Sequence, residues 1–337
     1  MRILIVGFYK EETMAWYLER NLKKFGHDLD TFCYRSFSQK IPPDSIISKL
    51  ARHTFPLNRV YLHKMNKDLI SKAKSFNPEL VIILKGETIL PKTIRILKRE
   101  GIKVINWFMD PIITLEWGYL FDSIPEYDYF FVKDKFIMKR LHEIGFDNVR
   151  FLLQCYDPSV YKKIELSKEE EDIYGSDICS VGNIYPYRLR LLNSLSNYNF
   201  KAWGKLVRVK PSEVARFYQG RPAISFEKAK IFNASKIGFN SHTPWEIEGS
   251  NVRLFEICGC GTFQLTDSTL YINKIFKVGK EIVCFENRKE LKELVDYYLD
   301  NEIEREKIAE AGYKRALRDH TYEKRIKELF EIIGEKL

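Results

Sequence analysis

Glu248-Gly249-Ser250-Asn251-Val252-Arg253-Leu254-Phe255-Glu256-Ile257-Cys258-Gly259-Cys260-Gly261-Thr262-Phe263-Gln264-Leu265-Thr266-Asp267 is the stretch whose reading decides the fold. Its first half is polar, with carboxylates at Glu248 and Glu256; its second half is apolar and closes on Asp267. Ser250 is a residue type that accepts the first free N–H groups of a helix, so a short helix is expected from Asn251 to about Cys258. The glycines at 259 and 261 stop it, and Thr262 to Leu265 follow as a buried strand. A helix start carries unpaired N–H groups and the positive end of the peptide dipoles, so with the fixed cation of Arg253 it is expected to attract phosphate.

The same strand and helix alternation extends outward in both directions. Toward the N-terminus, strands are expected at Ile3 to Val6, Asp28 to Tyr34, Leu80 to Leu84, Val104 to Phe108, Asp128 to Val132 and Val149 to Leu152. Helices are expected at Glu11 to Phe25, Pro91 to Glu100 and Phe136 to Ile144. Continuous apolar runs such as Leu80 to Leu84 belong in a parallel sheet covered on both faces. Beyond a polar, acidic segment from Lys162 to Ser176, expected as a linker, the strands Ile178 to Val181, Phe200 to Trp203, Ile237 to Phe239 and Glu281 to Cys284 repeat the pattern. Helices are expected there at Tyr187 to Leu195, Lys289 to Leu299, Ile303 to Arg318 and Tyr322 to Glu335. A chain of 337 residues exceeds what one core organises, so two α/β domains are expected, residues 1–157 and 158–321, followed by a final helix over 322–337.

Composition narrows the class. With 45% hydrophobic and 30% charged residues the chain reads as a globular protein, and no apolar run approaches a membrane span. The opening Met1-Arg2-Ile3-Leu4-Ile5-Val6-Gly7 reads as a first strand and not as a secretory signal, so a cytoplasmic protein is expected. The formal charge of +9 has its excess in the first half, which permits peripheral contact with the inner face of a membrane or with an anionic acceptor. Lysine-rich helices with interspersed glutamates are also ordinary solvated faces, and nothing resembles a nucleic-acid-binding module. The cysteines at 33, 155, 179, 258, 260 and 284 show no metal or redox spacing and are expected to be reduced and buried. Acidic pairs that might hold a metal, Asp28-Leu29-Asp30 and Glu126-Tyr127-Asp128, open strands instead of closing them, so no metal and no cofactor are expected.

The stretch from Glu248 to Asp267 resembles the Glu-x7-Glu signature of retaining glycosyltransferases of the GT-B fold. The wider text, Ser180-Val181-Gly182-Asn183, Ala234-Ser235-Lys236-Ile237-Gly238-Phe239-Asn240, Asn251-Val252-Arg253-Leu254-Phe255-Glu256 and Asp319-His320-Thr321-Tyr322-Glu323-Lys324-Arg325, is similar to the CgeB-like (spore maturation protein-like) family. The resemblance implies two Rossmann-like domains facing an interdomain cleft, with the last helix crossing back to the first domain. It implies a metal-independent, hexosyltransferase-type enzyme of polysaccharide biosynthesis. That enzyme would move a sugar from a nucleotide-sugar donor to a hydroxyl on a glycan, a lipid-linked acceptor or a polysaccharide. It implies that Glu248 contacts the donor sugar and Glu256 the ribose.

Ligands of doubly wound sheets sit at the carboxyl ends of strands, so residues there are the candidates. On the donor side these are Gly182 and Asn183, then Arg188 and Lys205, which face either phosphate or solvent. Asn240 and His242 follow a strand, and Ser250, Asn251 and Arg253 form the helix start. His242 reads as a catalytic group or as a local hydrogen-bonding residue. On the acceptor side Gly7, Lys85 and Glu87 follow strands, and Asp110 reads either as a general base or acceptor-orienting carboxylate, or as a cap. A working base at Asp110 would favour inversion, whereas the Glu-x7-Glu resemblance favours retention. A nucleotide-sugar epimerase or hydrolase of the same fold, or a non-catalytic sugar-nucleotide or polysaccharide-binding protein, are the alternatives.

Overall fold

A computed structural model describes residues 1–36, 41, 44–53 and 57–337. Two compact units emerge: Met1–Leu153 together with Ile326–Leu337, and Gln154–Arg325.

The first unit runs β1 (Arg2–Gly7), α1 (Met14–Lys23), β2 (Asp28–Cys33), α2 (Ile46–His53), α3 (Leu57–Phe76), β3 (Leu80–Leu84), α4 (Pro91–Arg99), β4 (Lys103–Phe108), α5 (Leu120–Ser123), β5 (Tyr129–Val132), α6 (Lys135–Glu143) and β6 (Val149–Phe151). Its strands lie in the order β2-β1-β3-β4-β5-β6, and all neighbours are parallel. All of β3, Leu-Val-Ile-Ile-Leu, is buried, which is the pattern of a strand covered on both faces. On one face Tyr61, Met65 and Leu69 of α3 and Ile94 and Leu97 of α4 join Leu4, Val6, Val81 and Ile83 in a single core.

The second unit runs α7 (Lys168–Tyr174), β7 (Ser176–Val181), α8 (Pro186–Leu192), β8 (Phe200–Trp203), α9 (Ser225–Asn233), β9 (Ser235–Phe239), α10 (Arg253–Gly259), β10 (Phe263–Asp267), α11 (Ile272–Ile275), β11 (Val283–Phe285), α12 (Arg288–Asp300) and α13 (Glu302–Asp319). Its parallel sheet has the order β11-β10-β9-β7-β8. The last helix, α14 (Tyr322–Ile333), starts in this unit, and its residues from Ile326 onward belong to the first. There Phe330 stacks on His27 at 5.3 Å and the Ile333 carbonyl accepts from Lys103 Nζ at 3.0 Å.

Both sheets place the first strand of the unit between the second and the third, so the winding reverses between β1 and β3 and between β7 and β9. That reversal opens a crevice at the carboxyl edge of each sheet. Gly7 and Lys85 follow the strands that flank one crevice; Gly182 and Asn240 follow those that flank the other.

The expected strands and helices differ from the observed ones mainly at their ends, but six helices are additional among the described residues: α2, α3, α5, α7, α9 and α11. The segment Lys162 to Ser176 is no linker: it lies within the second unit and holds α7, whose Ser167 and Glu170 form a reciprocal capping box, with Glu170 also paired to Lys230. The helices α2 and α3, and α9, lie where no element was expected. Of the six cysteines, all free, Cys33 and Cys284 are only half-buried, which corrects the expectation that all are buried.

Candidate functional site

The second crevice is built around Gly182. Its φ of +137° is a conformation that side chains rarely adopt, and a Cβ there would lie 2.6 Å from Arg253 Nη1 and 3.0 Å from Arg188 Nη1. The neighbouring chain closes in from the other side, since a Cβ on Gly204 would sit 2.1 Å from the Gly182 carbonyl. Glycine at both positions therefore lets two backbone turns and two guanidinium groups converge.

Arg188, on α8, is 2% exposed. Its Nη2 donates to Ser180 Oγ at 2.7 Å and its Nη1 to the Asn183 carbonyl at 3.1 Å, while Nε has no hydrogen-bond partner among the described residues. Arg253, half-buried at the start of α10, donates from Nε to Asn240 Oδ1 at 2.9 Å and from Nη2 to the Ser241 carbonyl at 2.9 Å. Among the described residues neither guanidinium forms an ion pair. Burial, and then the charge of Arg253, hold Arg188 well below its ordinary value. Burial also lowers Arg253, against the opposing pull of Glu256, Glu246 and Asp267.

Three consecutive residues after β9 carry buried polar atoms without a hydrogen-bond partner among the described residues: Asn240 Nδ2, Ser241 Oγ and His242 Nε2. His242 is 4% exposed; its backbone N–H and its Nδ1 both donate to Asp267 Oδ1 at 2.8 Å. The carboxylate thus fixes the proton on Nδ1 and leaves the Nε2 lone pair available. Burial pushes the Asp267 carboxyl upward, but the hydrogen bonds and charge of His242 more than offset it, leaving it below its ordinary value of 3.8. His242 and Asp267 line a groove of ≈ 460 Å³ together with Tyr187, Arg190, Glu246 and Arg288. A larger groove, ≈ 1000 Å³ around Gly279, Asp300, Ile303 and Lys307, gathers helix-end residues and no converging set of buried polar groups.

The helix start corrects one expectation. Ser250 is not the cap, because α10 begins at Arg253; the Asn251 side chain accepts the Leu254 N–H at 3.3 Å and so takes the capping role. Ser250 is fully buried, and Asn251 Nδ2 also donates to the Ser241 carbonyl at 3.1 Å, which ties the helix start to the loop after β9. Glu248 is half-buried on a loop secured by Thr269 Oγ1 donating to the Gly249 carbonyl and the Leu270 N–H donating to the Ile247 carbonyl. Glu256 is 5% exposed and ion-paired with Lys228 of α9. Burial lowers Lys228 from its ordinary value, with Glu256 acting the other way.

Two donor-side candidates lie apart from this cluster. Asn183 is exposed and serves through its carbonyl on Arg188, and Lys205 is exposed and serves through its carbonyl, which accepts the Ile184 N–H. Lys228 and Asp267, the partners of Glu256 and His242, are the residues of this cluster that the sequence did not single out. For Asp267 the signal was its position closing β10; for Lys228 it was spacing, because Phe232 and Ala229 turn inward beside it whereas Lys230 faces Glu170.

In the first unit, Lys85 Nζ pairs with Asp110 Oδ2 at 2.6 Å and lies 4.7 Å from the Trp117 ring centroid. Asp110 therefore does not cap the following turn, whose N-terminal residue is Pro111. Glu87 Oε2 accepts from Tyr34 Oη at 2.7 Å and Glu87 Oε1 from Arg35 Nη2 at 2.8 Å. Burial pushes Glu87 upward, yet Arg35, Lys85 and Tyr34 hold it below its ordinary value. Gly7 ends β1 against Ala15 and Leu84 and brings no functional group. No set of three or more His, Cys, Asp or Glu side chains among the described residues is arranged to hold a metal ion. Nor is any described helix long and apolar enough to cross a membrane.

Two parallel α/β units with a helix that returns to the first define the GT-B fold, and residues 188–331 match a family model described as glycosyl transferase-like. The chain is similar to the spore protein CgeB of Bacillus subtilis (strain 168), 24% identical over 282 residues in an alignment that covers 77% of this chain and 84% of CgeB. The crystal structure of Anabaena HepE in complex with UDP and glucose superposes with a TM-score of 0.66 at 10% identity, covering 99% of both chains. Sucrose-phosphate synthase from Thermosynechococcus elongatus does so with a TM-score of 0.67 at 10% identity, covering 99% of this chain and 98% of the synthase. The chain thus carries a glycosyl transferase-like region in a GT-B fold.

Proposed function

We propose that the protein transfers a sugar from a nucleoside diphosphate sugar to a hydroxyl acceptor, with the donor held at the Gly182 crevice. The observation that carries this reading is the pair Arg188 and Arg253, two guanidinium groups beside a bare glycine turn without an ion-pair partner among the described residues. Like charges held together away from water are costly unless an anion joins them, and a diphosphate supplies two. HepE, of the same fold, was crystallised with UDP, which makes uridine diphosphate the first donor to test.

In this reading the acceptor oxygen forms a bond to the anomeric carbon as the bond from that carbon to the β-phosphate oxygen breaks, and the hydroxyl proton passes to the departing diphosphate oxygen. Charge accumulating on the departing diphosphate is met by Arg188 and Arg253, which already stand in position and need no metal. Glu248 orients the sugar hydroxyls, and Glu256, steadied by Lys228, takes the ribose. His242, oriented by Asp267, accepts a hydrogen bond from the sugar through Nε2, or donates one to the phosphate once protonated. Lys85, Glu87 and Asp110 serve the acceptor. Retention of anomeric configuration is the outcome that the Glu-x7-Glu resemblance favours.

Thermal unfolding in UDP, GDP, ADP or dTDP without added metal tests the donor site. Ligand at a hundred times its dissociation constant adds about 2.7 kcal/mol of stability. Stabilisation by one nucleotide that vanishes in Arg253→Met supports the reading; stabilisation by none rejects it. Binding without release of the nucleoside diphosphate in the presence of glycan or lipid-linked acceptors would favour the non-catalytic alternative.

A further inference from the structure

The helix α2 is turned inside out. It buries its small residues, Ser48 at 0% and Ala51 at 3% exposure, and points its large aliphatics outward, Ile46 at 77%, Ile47 at 55% and Leu50 at 50%. The first turn of α3 continues the patch with Leu57 and Val60, both about half exposed. Five large aliphatic side chains clustered on one surface depart from the scattered exposure usual for a globular protein. Ala51 belongs to the core of the first unit together with Tyr61.

The polar residues that share this surface are cationic. Lys49 and Arg59 are exposed, and Arg52 is half-buried, its guanidinium donating to the Arg35 carbonyl. The one acidic residue between 44 and 60 is Asp44, which is paired with Lys10 at 3.1 Å. Protruding aliphatics bordered by cations suit a surface that is apolar below and anionic above, which is the outer layer of an anionic bilayer. An apolar protein partner would not need the cations, and a second copy of this face would set Lys49 and Arg59 against their own duplicates.

We infer that the face formed by α2 and the first turn of α3 docks the protein on anionic lipid, inserting Ile46, Ile47, Leu50, Leu57 and Val60. At the end of α2, Arg52 donates to the Arg35 carbonyl, and the Arg35 side chain pairs with Glu87 beyond β3. The inference stands on exposure and charge alone and does not depend on the transferase reading.

Flotation of the full-length protein with vesicles of equal parts phosphatidylcholine and phosphatidylglycerol, against vesicles of phosphatidylcholine alone, tests it. Binding is expected to the anionic vesicles only, to fall about fivefold for each of Lys49→Gln and Arg59→Gln, and to be lost in the double variant I47D/L50D. These side chains are exposed, so the unfolding midpoint and any nucleotide-induced shift should stay at the wild-type value, which separates loss of docking from loss of fold. Wild-type binding that survives I47D/L50D overturns the inference, as does absence of binding to anionic vesicles. A dimer in light scattering that I47D/L50D dissolves would assign the face to a second copy instead.

Discussion

Arg188 and Arg253 reach the face of Gly182 from two different helices, with Nη1 atoms 3.0 and 2.6 Å from the point where a Cβ would lie. Each is held by neutral acceptors: Ser180 and Asn183 for one, Asn240 and Ser241 for the other. The arrangement sacrifices stability of the ligand-free protein for a ready anion site. Arg188→Met should therefore leave the ligand-free protein as stable as the wild type or more stable, by about 1–3 kcal/mol. The same variant should abolish stabilisation by UDP. Urea unfolding with and without nucleotide checks both, and a marked loss of ligand-free stability would show that the guanidinium is needed for packing.

Glu256 and Lys228 form a nearly buried pair. Removing one partner strands the other, so Glu256→Gln or Lys228→Met should each cost about 3–5 kcal/mol. The double variant K228M/E256Q should cost clearly less than the sum, which a double-mutant cycle in urea measures.

The Asp267 carboxyl lies below its ordinary value in the folded protein because His242 donates to it twice. A lowered carboxyl stabilises above the unfolded value and loses that contribution as pH falls through the folded one. The stability difference between wild type and Asp267→Asn should be full at neutral pH and shrink as pH drops below about 4. A difference that stays constant through that window contradicts the hydrogen-bonding scheme.

His320 is packed between the rings of Phe255 and Phe276, and burial pushes it down to about 3, with Arg325 adding to the effect. The unfolded chain takes up this proton near pH 6.5 and the folded chain does not, so stability falls as pH drops from there toward 3. His320→Gln should flatten the urea midpoint between about pH 6.5 and 4 relative to wild type. An unchanged slope would mean that His320 is not neutral in the folded state.

Glu248 is expected to act on the sugar and not on the nucleotide. In Glu248→Gln, stabilisation by UDP should persist while sugar transfer falls by about a hundredfold or more, the usual scale for losing one preorganised group. Loss of UDP binding would move Glu248 to the diphosphate.

Parallel strands and their order along the chain were legible in the sequence. Buried strands such as Leu80–Leu84 show as unbroken apolar runs, and Gly182 and Gly204 follow directly after strands. Helix caps are decided within a few residues, yet even there Asn251 displaced Ser250, since its amide could also reach the Ser241 carbonyl. Local preference does not see that second partner.

The sequence by itself determined the strands of both sheets and most of the helices that connect them, because apolar periodicity and turn residues act over neighbouring positions. Only the tertiary structure decided that Arg188 is buried without an ion-pair partner among the described residues, that Lys228 is the partner of Glu256 across 28 residues, and that α2 buries Ser48 and Ala51 while exposing Ile46, Ile47 and Leu50. These depend on which surfaces meet after the chain has wound both sheets, and burial and charge pairing between distant residues leave no periodic trace in either segment.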